Sequence, residues 1–170
     1  MALTDDEMMD INPQLARGND GALWLAWVSS PGNSLTGNTT HPNRLLATRW
    51  NSRQWSPLET TPAELAGTLT WRLAAFDAER ALIAAGLDTD GSLASAADRE
   101  IIAIERGKAG WHAATPISAN SSLEGEPLLA WANGTHLMGI AGNLQTTPLA
   151  QALTPVRNSP PDSLIREVQS

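Results

Sequence analysis

The sequence predicts an all-β chain, and three observations carry that reading. Short apolar runs are divided by turn residues, a unit of 56 to 58 residues recurs, and tryptophans stand at hairpin tips in a chain with one Phe and no Tyr. The recurrence is clearest between "LATRWNSRQWSPLE" from Leu46 and "IAIERGKAGWHAATPI" from Ile102, where Trp55 falls on Trp111. A second set, "PQLARGNDGALWLAW", "WRLAAFDAERALIAA" and "PLLAWANGTHLMGI", places Leu15, Leu73 and Leu129 in register at intervals of 58 and 56 residues. Repetition at such a period marks a modular architecture before any element is assigned.

The elements follow in chain order. Residues 1–12 form an acidic lead, and copies of the unit occupy about 13–59, 70–117 and 127–142. In each copy a polar turn separates two apolar runs: "GND", "FDAE" and "ANG" close the first pair, and "WNSR" and "RGKAG" close the second. Turns of this chemistry between apolar runs signal β-hairpins. The runs "ALWLAWV", "RALIAAG" and "EPLLAWA" are apolar on consecutive positions, which suits strands covered on both faces. Four antiparallel strands in 50 to 60 residues is the make-up of a propeller blade. The expectation is therefore a partial β-propeller of about two and a half blades, with Trp55 and Trp111 filling the wedges between neighbours. The third copy stops after two strands, leaving an open sheet edge available for self-association. Residues 143–170, with four prolines and no aromatic residue, read as a tail or linker with a short helix from Asp162 to Val168.

A helical alternative draws on the same residues. Thr61 before Pro62 is a fair helix start, and the alanine- and leucine-rich stretch 62–86, like 92–106, gives an α+β reading with two helices. The repeat argues against it, because Arg80–Ala85 lies in register with "ALWLAWV", whose Trp and Val content favours strand.

The segments "RLLATRWNSRQWSPLE" and "DREIIAIERGKAGWHAATPIS" resemble the "strand, W-N-G-x-x-W, strand" blades of sialidase-like β-propeller repeats in large multi-module bacterial surface or secreted proteins. The likeness spans Pro13 to Gly142. It implies an extracellular or cell-surface setting and a fold more than an activity. The stricter Asp-box of that group has an Asp five residues and a Gly three residues before the Trp; those positions hold Trp50 and Ser52 in one copy, Arg106 and Lys108 in the other. The tyrosine nucleophile that the resemblance would require of a sialidase is absent from the composition.

Composition narrows the function classes. Charged residues are 17% of the chain, below the quarter or so typical of soluble domains, and the net charge is −7. An acidic chain without clustered Lys and Arg is no nucleic-acid binder. Without cysteine there are neither disulfides nor thiolate metal sites. No apolar run approaches the eighteen or so residues that span a bilayer, and the acidic N-terminus is unlike a secretory signal. His41, His112 and His136 lack zinc-ligand spacing, and Asn38, Asn120 and Asn133 begin N-x-Ser/Thr sequons.

The loop "LDTDGSLASAADRE" offers Asp88, Asp90 and Asp98 as oxygen ligands for Ca²⁺, although Gly91 and Arg99 break the spacing of a twelve-residue calcium loop. Asp77 and Glu100 join these three as carboxylate candidates for glycoside hydrolysis, which needs two of them in one cleft. The functional expectation is a non-catalytic recognition or scaffolding module with a protein or carbohydrate ligand. The alternative is a fragment of a carbohydrate-active enzyme.

Overall fold

Alternation along a strand sends successive side chains to opposite faces, so a strand that is apolar at every position must be covered twice. The fold answers that demand by stacking three antiparallel sheets. The computed structural model describes residues 3–33, 35, 37, 40–65, 70–88, 99–117, 126–132, 135–140 and 143–148, and these residues are all-β, with no helix among them. The first sheet is a meander of β1 (Met9–Arg17), β2 (Leu23–Ser30), β3 (Asn43–Trp50) and β4 (Glu59–Leu65). The middle sheet runs β5 (Thr70–Ala75), β6 (Ala81–Asp88), β7 (Arg99–Gly107) and β8 (Gly110–Trp111), with β9 (Thr115–Pro116) also on β7. The third sheet is β10 (Pro127–Ala132), β11 (Thr135–Ile140) and β12 (Asn143–Pro148).

Of the stretches that could be drawn as helices, residues 62–65, 70–75, 81–86 and 99–106 are strands, because their apolar residues pair across the sheet rather than along one helical stripe. Leu73, Ile83 and Ile104 lie opposite one another across β5, β6 and β7, as do Trp71, Ala85 and Ile102. Residues 92–98 and the proposed helix 162–168 lie outside the described residues. Beyond Gly142, β12 follows and pairs with β11 from Ile140↔Asn143 to Thr135↔Pro148. The prolines in that stretch hid a strand, since Pro148 stands at the end of β12, where the ladder needs no further donor.

Each sheet has a front face toward the next sheet and a back face toward the previous one. Ala26, Val28, Leu45 and Ala47 on the front of the first sheet pack against Trp71, Ile83, Ala85, Ile102 and Ile104 on the back of the middle sheet. On its other face Ala74, Leu82, Ala84, Ile101 and Ala103 are buried, with Leu129 of β10 packed on them. The middle sheet is thus covered on both sides, as its consecutive apolar positions require.

Proline and asparagine punctuate β1 and β4 without breaking them. One extra residue between Ile11 and Gln14 makes a bulge, with Asn12 at φ 52° and Pro13 placed where no ladder donor is required. That extra residue resets the alternation, so Ile11 and Ala16 both pack on the middle sheet's side. Pro62 sits in a comparable irregularity of edge strand β4, between Thr60↔Leu46 and Glu64↔Arg44.

Candidate functional site

The seam between the first and middle sheets gathers most of the polar chemistry, and its construction starts with the turns. Asp77 shapes the β5–β6 turn: its carboxylate accepts the N–H groups of Glu79 and Arg80, both at 2.9 Å, and the Arg80 Nε–H at 2.6 Å. Partial burial alone would raise its pKa. The hydrogen bond and charge of Arg80, with the two backbone donors, outweigh that and hold it below the ordinary 3.8.

The β1–β2 turn docks on this one. Asn19 N–H donates to Phe76 O at 2.7 Å, Ala78 N–H donates to Asp20 Oδ2 at 2.8 Å, and Trp24 Nε1–H donates to Asp77 O at 2.8 Å. Gly18 lies so close to the neighbouring turn that a Cβ there would stand 2.9 Å from Asp77 Cα. Arg49 donates to Ala78 O across the same seam. Two turns from different sheets are thereby locked side by side.

Further out, Arg106 projects from the back of β7 into the seam. Its Nε and Nη2 donate to Glu59 Oε2 and Oε1 at 3.1 and 2.9 Å, a bidentate ion pair to β4 of the first sheet. Its Nη1 donates to Glu79 O at 2.7 Å and Gly107 O at 3.1 Å. The guanidinium carbon lies 5.3 Å from the ring centroid of Trp24, which is fully buried. Trp111, opposite Arg106 in the β7–β8 pairing, meets Trp24 edge to face at 6.1 Å and 78°.

Beside this cluster an open groove of about 450 Å³ is lined by Glu59, Thr60, Pro62, Arg106, Lys108 and Trp111. Lys108 is exposed and forms no ion pair among the described residues. The indole N–H of Trp111 is buried with no acceptor among the described residues. Arg106 and Glu59 were not singled out as a pair from sequence. Alternation held the signal, because Ile102, Ile104 and Arg106 share one buried row, and an arginine ending such a row requires a partner.

The candidate residues read from sequence part company here. Trp111 packs across the seam on Trp24 of the first sheet. Trp55 does not: it packs on Trp50 of its own hairpin at 5.5 Å, because among the described residues no sheet lies on the first sheet's back face. Asp77 stands at the β5–β6 turn, while Glu100 lies near the start of β7, opposite Leu87 near the far end of β6. With about 3.3 Å per residue, the intervening rows separate these two carboxylates by roughly 20 Å. Asp90 and Asp98 lie outside the described residues, and Asp88 closes β6 opposite Arg99. Among the described residues no three His, Asp or Glu side chains converge as a metal site. The chain matches no family model, and neither a curated protein nor a solved structure matches it.

Proposed function

We propose that this chain is a non-catalytic module of β-propeller type, a scaffold of stacked antiparallel sheets that recognises a protein or carbohydrate ligand. The observation that carries this reading is the use made of the seam's charges. Asp20 and Asp77 cap and dock turns, and Arg106 and Glu59 neutralise each other between sheets. These groups build the stack and are spent in doing so.

The groove offers different means. Lys108 supplies an unpaired cation, Thr60 an exposed residue with a hydroxyl, and Trp111 an indole edge. A ligand carrying a carboxylate and several hydroxyls, such as an acidic oligosaccharide, fits that set. The enzyme alternative would need two carboxylates about 5 to 10 Å apart, a spacing that Asp77 and Glu100 do not have.

Titration calorimetry with acidic and neutral oligosaccharides, run beside a panel of aryl glycosides, tests the proposal. Saturable binding that weakens at least tenfold in Lys108→Glu, with no aryl alcohol released, is the expected result. Turnover of any glycoside would overturn the non-catalytic reading.

A further inference from the structure

The repeat places equivalent side chains on equivalent faces, and among the described residues one face lacks its counterpart. Leu15, Leu73 and Leu129 share a register, and opposite strands agree, since Leu15 faces Leu25 as Leu73 faces Ile83. Leu73 packs against the first sheet's cluster and Leu129 against the middle sheet's. Leu15, the same position in the first sheet, is 62% exposed. Trp50 and Trp55 repeat the pattern. They pair as Arg106 and Trp111 do, 56 residues earlier; the later two grip the preceding sheet, while Trp50 and Trp55 stack on each other half-exposed.

On the front of the third sheet a described leucine is likewise exposed. Leu129 faces the middle sheet, so alternation turns its neighbour Leu128 to the front, where it is 48% exposed. The residues at the position of Leu128 in the other two sheets are engaged. Gln14 bonds the backbone of β5 through Trp71 O at 2.6 Å and Leu73 N–H at 3.0 Å, and Arg72 pairs with Glu126 at 2.9 Å.

We infer that the front of the third sheet of one copy stacks on the back of the first sheet of a second copy, twice over, so that two chains close a ring of six sheets. The inference rests on the propeller-type reading. The new interface continues the two already present in the chain, with the same leucine register. The three described sheets set the stoichiometry proposed, because propellers close with about four to eight sheets, and two sets of three fall in that range. A head-to-tail contact of this kind makes a closed ring when its rotation closes and a filament when it does not.

Light scattering on a sizing column supplies the first test. A mass twice 18.1 kDa, unchanged over a hundredfold range of concentration, is expected. Leu15→Glu, at an exposed position, should halve that mass without altering the β-sheet circular dichroism, while Leu35→Glu on an exposed loop leaves it unchanged. Orientation is tested in a chain that has no cysteine of its own. Since the counterpart of Leu128 touches the strand bearing the counterpart of Leu15, a Leu15→Cys chain mixed with a Leu128→Cys chain should be joined by a short bis-maleimide, and neither alone should be. A monomer, a filament, or cross-linking within either single variant would overturn the ring. A monomer that still binds oligosaccharide would overturn the ring alone, and a dimer that hydrolyses glycosides would overturn only the non-catalytic reading.

Discussion

Arg106 occupies a position where alternation reserves an apolar side chain, and its stability there rests on geometry rather than charge alone. The planar guanidinium reaches a carboxylate with two donors and two carbonyls with a third nitrogen while lying over Trp24. A lysine keeps the charge and loses the fork. Arg106→Lys is therefore expected to lower the urea unfolding midpoint, at a cost of about 1–3 kcal/mol for the buried acceptors left unmatched. Asp77 gives a pH signature. Its folded pKa lies below 3.8, so its contribution is complete above that value and is lost as pH falls through the folded value. Urea melts of wild type and Asp77→Asn should differ most near neutrality and converge as the pH drops below 3.8. Ser52 sits at φ 75° in the tip of the β3–β4 hairpin, where Asn51 Oδ1 accepts the N–H groups of Arg53 and Gln54. Ser52→Gly should raise the midpoint, by about 1 kcal/mol, by relieving the left-handed backbone.

At the scale of elements, the paired turns hold the sheets in register. Gly18→Ala would drive a methyl group against the Asp77 backbone, which cannot yield as a flexible side chain would. Destabilisation of about 1–3 kcal/mol is expected from that overpacking, measured by chemical denaturation. The hairpins and their order were legible in the sequence because Asn, Gly and Asp at turn positions act locally. The strands of the middle sheet were legible only through the repeat. Residues such as Ala81–Ala85 have side chains small enough for a helix, and tertiary cover decides their conformation. The end of the third sheet was misread, since "NLQTTP" is polar and proline-terminated and its pairing with β11 is a non-local fact. The Arg106–Glu59 pair was hidden for the same reason, joining residues 47 positions apart on different sheets.

For the whole molecule, cover on both faces sets the order of local stability. Native-state hydrogen exchange should show the slowest amides in β6 and β7, around Ile83 and Ile104, which are fully buried, and faster exchange in β1, at the edge of the first sheet. Protection in β1 equal to that in β7 for a monomeric sample would contradict this picture. The shared leucine register has a further consequence for descent. A gene that duplicates one stretch of 56 to 58 codons acquires a sheet whose front already suits its successor and whose back already suits its predecessor. Such a lineage can lengthen or shorten by whole units without compensating substitutions at the joins. Selection then acts on how many units stack together, while the turn loops outside the joins are left to diverge.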